Sequence, residues 1–316
     1  METRHKIVIG DSRNMFHIPD KSVHLMITSP PYPMIEMWDI MFIKQDIRIK
    51  EEFNKFNLLK TEEEKERCIS KIYDLMHENL EKIWKETYRV LVDGGIACIN
   101  IGDATRSMNG LFRLFTNHSR ITELCEKMGF VSLPFLLWKK ATNKPNAFLG
   151  SGFYPPNAYI TLDTEFILIL RKGNRRILKT EEEKVQRNKS QFTKQERDIW
   201  FSQTWNIKGA KQIRNDFQRR TAEFPEEVVY RLTRMFSCEG EMILDPFLGT
   251  GTTTKVAKDT NRHSIGYEID ENLLPILKQK IGINQMTLND THKFEIIGSS
   301  HTKQEEKKRI LGEILQ

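Results

Sequence analysis

The sequence predicts an α/β protein built on a mostly parallel sheet, and three stretches predict it. Val23–Ile27 is a short apolar run that halts at two prolines, the pattern of a strand buried on both faces. Met242-Ile243-Leu244 runs into a Gly-rich turn, a helix over 253–258 and a second strand, His263–Tyr267, which together form a βαβ unit. Between them, Ile69, Ile72, Tyr73, Met76, Leu80, Ile83, Trp84 and Leu91 recur at helical spacing behind a Thr61-x-x-Glu64 capping box.

Composition bounds the rest. The 316 residues fit one large α/β domain with an appended lobe, or two domains, and a 39% apolar share suffices for a core. Met1–Lys6 is polar, unlike a secretory leader, and the strongest apolar runs, Leu133–Trp138 and Phe166–Leu170, are only strand-length. Cys68, Cys98, Cys125 and Cys238 lie far apart, as buried thiols of a reducing cytoplasm do, and the histidines lack metal-ligand spacing. The net charge of +6 is uneven. Residues 139–220 hold 18 Lys and Arg against 8 Asp and Glu, whereas the remainder holds 31 against 35. One basic segment on a slightly acidic body suits a phosphate backbone, or a solvated surface.

In chain order, the first strand, Lys6–Ile9, ends in Gly10-Asp11-Ser12. A carboxylate there sits where parallel sheets bind ligands, or caps residues 13–17. Val23–Ile27 then meets Thr28-Ser29-Pro30-Pro31-Tyr32, where the prolines stop the strand and stiffen a turn. The turn offers a hydroxyl, a carbonyl and an aromatic ring, which suit a flat ring with an exocyclic amine. The amine hydrogens go to Ser29 and the Pro30 carbonyl, and the ring stacks on Tyr32. Withdrawing those hydrogens localises a lone pair that is otherwise delocalised into the ring.

Pro33–Asp39 is a lid or the start of a core helix, and residues 44–60 read as an excursion without clear period. The long helix stops at Asp93-Gly94-Gly95, a strand covers Ile96–Ile101, a helix spans about 111–128, and Val131–Trp138 is another strand. Ala141–Asn157 forms a long loop, Thr164–Leu170 a strand, and residues 174–220 mix charges with aromatics such as Phe192, Trp200 and Trp205. Basic, aromatic and amide side chains together suit contact with DNA. Phe224-Pro225-Glu226-Glu227 opens a helix to about Phe236.

The closing βαβ unit passes through Asp245-Pro246-Phe247-Leu248-Gly249-Thr250-Gly251-Thr252 and ends at Glu268, 17 positions after Gly251. Glycines admit a ligand close to the backbone, and the carboxylate can hold ribose hydroxyls. Position 254 is Thr and no Gly-Lys-Ser/Thr follows, so the loop is neither a dinucleotide fingerprint nor a phosphate loop. The segments 294–298 and from Thr302 on read as a closing strand and helix.

Ser-Pro-Pro-Tyr after an apolar strand resembles the catalytic motif of DNA amino-methyltransferases, and Asp-Pro-Phe-x-Gly-x-Gly-Thr resembles their S-adenosylmethionine loop. Catalytic motif first, basic segment second and cofactor loop last is the order of their β group. The resemblance implies a methyltransferase (Rossmann-like) sheet with a smaller DNA-recognition lobe: residues 1–140 the catalytic half, 141–220 the target-recognition region, 221–316 the cofactor half. It assigns catalysis to Ser29, Pro30, Pro31 and Tyr32. Asp11, Thr221, Phe224, Asp245, Phe247, Gly249, Gly251, Thr252 and Glu268 fall to the cofactor, although Arg220-Thr221-Ala222 departs from the family's His-Pro start. Trp138 and Lys139 border the flipped base, or Trp138 is an edge residue of the sheet. Lys144, Arg175 and Arg176 meet double-stranded DNA.

A serine before Pro-Pro-Tyr implies transfer to cytosine N4, adenine N6 being the alternative. A cognate restriction endonuclease is the implied partner. The run 31–38 resembles methylases acting on CTAG. No cysteine follows a proline, which disfavours ring-carbon cytosine methylation. A nicotinamide-dependent oxidoreductase shares the βαβ unit but has no use for Ser-Pro-Pro-Tyr, and a non-catalytic DNA-binding protein would not need both motifs intact.

Overall fold

The computed structural model describes residues 1–140, 155–156, 160–210, 223, 225–283 and 291–298. Thr221, Phe224, Lys144 and the segment from Thr302 lie outside the described residues.

The strands are β1 (Thr3–Ile9), β2 (Val23–Thr28), β3 (Leu91–Ile101), β4 (Ala104–Met108), β5 (Leu111–Phe115), β6 (Phe130–Lys140), β7 (Thr164–Lys172), β8 (Thr204–Ile207), β9 (Met242–Asp245), β10 (His263–Glu268) and β11 (His292–Ile297). Nine form one sheet in the order β11-β1-β10-β9-β2-β3-β7-β6-β8, while β4 and β5 make a separate hairpin. Among these strands only β7 runs against the others in the sheet. From β9 the chain crosses to β10 on one side, and from β2 it crosses to β3 on the other. The crevice between β9 and β2 is therefore a topological switch point, where open α/β sheets bind ligands.

Helices cover both faces. On one lie α1 (Asp39–Gln45), α2 (Ile47–Phe56), α3 (Glu62–Val90) and α4 (Asn117–Lys127), burying Met26, Ile99, Trp84 and Phe42 in one apolar cluster. On the other, α7 (Glu226–Phe236) and α8 (Thr252–Asp259) pack Val228, Leu232 and Val256 onto Leu25, Ile27 and Ile243. There too, α9 (Leu274–Ile281) sets Leu277 and Ile281 on Ile7 and Ile9. The Thr61 capping box forms with both its bonds.

Three expectations are corrected. Residues 47–56 are a helix, whose Ile49, Phe53 and Phe56 recur at i, i+4 and i+7. Residues 111–115 are a strand, because Asn109-Gly110, both at positive φ (47° and 86°), close a two-residue hairpin. Residues 174–220, read as a long stretch of charges and aromatics without regular structure, hold α5 (Glu181–Lys189) and α6 (Lys194–Trp200), each with a complete capping box, at Thr180/Glu183 and Thr193/Glu196. The strands β7 and β8, which fall within 141–220, are strands of the main sheet, β7 pairing with β3 and β6 and β8 with β6.

Candidate active site

The two motifs meet at the switch point because β2 and β9 pair side by side, Leu25 opposite Ile243 and Met26 opposite Leu244. Asp245, at the end of β9, joins them. Its carboxylate accepts from the Thr28 hydroxyl (2.7 Å), the Thr253 hydroxyl (2.6 Å) and the Phe247 N–H (3.0 Å). Burial raises the Asp245 pKa, and the hydroxyl bonds oppose that rise. The residue thus clamps the proline turn of β2 to the Gly-rich loop.

Beyond Asp245, the loop bends back over β10. Gly249 donates its N–H to Glu268 Oε2 (2.8 Å), and Asp270 donates its N–H to Oε1 (2.7 Å). Burial pushes the Glu268 carboxyl up to about 7. Each oxygen retains a lone pair, so the carboxylate can accept ribose hydroxyls as well. Gly249 takes φ +55°, and no atom lies closer than 4.0 Å to where a Cβ would stand, which leaves room for a ligand against the backbone. Gly251 differs. Its φ is +90°, and a Cβ would come within 3.1 Å of both Ile281 and Leu277, so its glycine is required by the packing of α9. Thr252 accepts from Lys280 Nζ (2.6 Å), and Phe247 packs edge-on against Trp84. Asp11, at the end of β1, is paired with Arg13 (2.5 Å), which is held in turn by Asn79 (2.9 Å).

The proline turn carries a second polar cluster. Ser29 Oγ lies 3.2 Å from Tyr32 Oη, and Tyr32 donates to Glu165 Oε2 (2.9 Å). Asn100 Nδ2 donates to Tyr32 Oη (2.7 Å) and to Glu165 Oε2 (2.6 Å), and Lys140 pairs with Glu165 Oε1. Tyr32 is 8% exposed, and burial first, then Glu165, raises its pKa well above the usual phenol value. Its ring lies against Gly102, where a Cβ would approach within 2.9 Å of Cε2.

Of the residues expected from the sequence, the structure sets Ser29, Tyr32, Asp245, Gly249 and Glu268 at adjacent strand ends, and it adds Asn100, Glu165 and Lys140, which sequence reasoning does not assign to the site. A signal for two of them is present: Asn100 interrupts the apolar run of β3, and Glu165 opens the apolar run of β7.

The residues expected at the base and the DNA separate in the structure. Trp138 is 3% exposed, its indole N–H donates to the Ile207 carbonyl (2.8 Å), and Lys140 lies over its ring, so it packs in the core at the end of β6. Lys139 stays exposed and pairs with Asp163 (3.6 Å) near the site. Arg175 and Arg176 follow the end of β7 that reaches the amino edge of the sheet, opposite the site. Arg176 pairs there with Glu241 (2.7 Å), and its backbone crowds Gly94.

This sheet, with a Gly-rich loop and a proline turn on adjacent strand ends, is that of the S-adenosylmethionine-dependent methyltransferases. The chain belongs to the DNA methylase family, whose sequence profile matches residues 23–279. It is 58% identical over 295 residues to the type II methyltransferase M.MjaI of Methanocaldococcus jannaschii, covering 93% of this chain and 97% of that one. Identity to M.MthZI of Methanothermobacter thermautotrophicus is 44% over 284 residues, 89% and 77% of the two chains. A Thermus thermophilus structure described as a DNA modification methylase, complexed with S-adenosyl-L-methionine, superposes with a TM-score of 0.67 at 29% identity, covering 93% of this chain and 99% of that one. The cytosine-N4-specific PvuII DNA methyltransferase shares the fold (TM-score 0.56, 16% identity, 89% and 94% of the chains).

Proposed function

We propose that this DNA methyltransferase transfers a methyl group from S-adenosylmethionine to the exocyclic N4 of a cytosine flipped out of double-stranded DNA. The observation that carries the reading is the uncharged Ser29 hydroxyl at the mouth of a cluster whose negative charge is already supplied by Glu165. A carboxylate at position 29 would stand near a second one and repel the lone pair of cytosine N3. A hydroxyl both accepts from the amine and donates nearby. The cofactor supplies an electrophilic methyl on sulfur. Glu268 would hold its ribose hydroxyls, the Gly249 loop its backbone-facing side, and Asp11 its base. Tyr32 takes part of the stacking that the flipped base loses.

Recognition of the DNA sequence falls to the region 141–220, which follows Lys139 and Lys140 in the chain. CTAG is the site that the run 31–38 suggests, and a restriction endonuclease of the same specificity is the partner. Nucleoside mass spectrometry of methylated DNA tests the product, with N4-methyldeoxycytidine expected. N6-methyldeoxyadenosine as the sole product would overturn the base while leaving methyl transfer standing. Methylation-aware sequencing of DNA from an expressing host tests CTAG.

A further inference from the structure

Methyl transfer to an exocyclic amine creates a proton problem. The nitrogen arrives with two hydrogens, gains a methyl and a positive charge, and must lose one proton to leave as a neutral secondary amine. Ser29 cannot keep that proton, since a protonated hydroxyl is a strong acid. Tyr32 cannot take it alone, because its phenol is already protonated and burial holds it so. Asp245 is occupied by two hydroxyls and an N–H and has no bond to Ser29. Asp11 faces Arg13.

We propose that Glu165 is a positioning residue for Tyr32 and, through it, the terminal proton acceptor of the transfer reaction; this rests on the methyltransferase reading above. The path is continuous. Because Tyr32 donates to Glu165 Oε2 at 2.9 Å, its oxygen can accept from Ser29 at 3.2 Å, nearer to the Ser29 hydroxyl than the Asn100 carbonyl is at 3.4 Å. Asn100 fixes the chain by donating to both Tyr32 Oη and Glu165 Oε2. As the N–C bond forms, the C–S bond breaks and its electron pair goes to sulfur. The amine proton then moves to Ser29 Oγ, the Ser29 proton to Tyr32 Oη, and the Tyr32 proton to Glu165 Oε2. Glu165 ends neutral beside Lys140, which is 38% exposed and opens the path to solvent for the proton's release. That exposure also keeps Lys140 hydrated if Glu165 loses its charge.

Glu165→Gln is the discriminating variant, because the amide oxygen can still accept from Tyr32 but cannot take up its proton. Single-turnover methyl transfer should fall by about 10²-fold or more, the usual range for a lost proton acceptor. Cofactor affinity, DNA affinity and base flipping, followed by 2-aminopurine fluorescence at the target position, should stay as in the parent. Tyr32→Phe cuts the path in the middle and should show the same slow transfer, while Glu165→Asp should recover part of the rate. A Glu165→Gln rate within about twofold of the parent would overturn the proposal. So would a rate loss matched by loss of flipping or cofactor binding, which would make Glu165 a purely structural support. If the parent protein itself transfers no methyl group to DNA, it is the methyltransferase reading that fails.

Discussion

The two edges of the sheet use polar residues in opposite ways. At the carboxyl edge, Thr28, Asn100, Asp245 and Glu165 are buried hydroxyls, an amide and carboxylates bonded mainly to one another across strands. At the amino edge, long cations reach back to carbonyls and carboxylates of the framework. Lys172 Nζ donates to the carbonyls of Tyr88 (2.5 Å) and Leu91 (2.8 Å), Arg89 to those of Met15 and Ile18, and Arg176 to Glu241. A helix end and a strand start leave carbonyls without partners there, and a lysine or arginine stem can cross apolar surface to reach them. The lesson is that basic residues near one another in sequence divide between two tasks, and the edge of the sheet decides which.

The largest expected break in this contrast is at Asp245. Asp245→Ala strands two hydroxyls and an N–H that the carboxylate now satisfies, at about 1–3 kcal/mol for each donor left buried. A loss of at least about 3 kcal/mol in denaturant unfolding is expected, along with loss of cofactor binding. A variant as stable as the parent would show that the clamp between the motifs carries no stability. Ser29→Ala should do the reverse. Unfolding and cofactor binding, read by calorimetry, should stay unchanged, because the bonds of Ser29 among the described residues are long, 3.2–3.4 Å. Methyl transfer should fall by roughly 10²-fold or more, the order seen when a positioned polar group is lost from an active site.

At the amino edge, Lys172→Met leaves the Tyr88 and Leu91 carbonyls without their donor. Burial already lowers the Lys172 pKa, so part of the gain from these bonds is offset by desolvation. A loss of about 1–2 kcal/mol in stability is expected, with the transfer rate of the folded enzyme intact. A slow but stable variant would place this edge in the function.

Glu268 sharpens the carboxyl edge through pH. Its folded pKa, raised to about 7, exceeds the ordinary 4.5, so the folded chain holds this proton more tightly. The stability that the protonated form contributes is present below about 4.5 and is lost as pH rises to about 7. A ligand whose hydroxyls donate to the carboxylate favours the ionised form. Cofactor affinity should therefore rise by about fivefold between pH 6 and 8 for one pKa unit of coupling, and Glu268→Gln should flatten the curve. A parent enzyme with pH-independent affinity would remove Glu268 from the cofactor site.

The contrast also explains what is legible in the sequence. Both motifs, the long helix α3 and the βαβ unit can be read, because proline, glycine and helical spacing act locally. Asn100 and Glu165 cannot be tied to Ser29, because β3 and β7 pair antiparallel only in the folded sheet, which brings residues 29, 100 and 165 together. Trp138 reads as a border of the base or an edge residue because Ile207, on a strand added far along the chain, supplies the acceptor that buries it.

The smallest expected effect falls on Arg176, the residue that charge counting places on DNA. Its guanidinium pairs with Glu241 at 2.7 Å on the edge away from Ser29, and Glu241 in turn accepts the Cys238 N–H (2.9 Å). Arg176→Gln should cost less than about 1 kcal/mol of stability, the usual range for a partly exposed pair. Each phosphate contact contributes about 0.9 to the slope of log affinity against log salt, so a residue that touches no phosphate leaves the slope unchanged. Lys139→Gln supplies the comparison, since Lys139 is exposed near the site and, among the described residues, pairs with Asp163 at 3.6 Å. DNA binding titrated at several salt concentrations should give the parent slope for Arg176→Gln and a slope shallower by about one for Lys139→Gln. The reverse assignment would put the DNA on the amino edge and dissolve the division between the two.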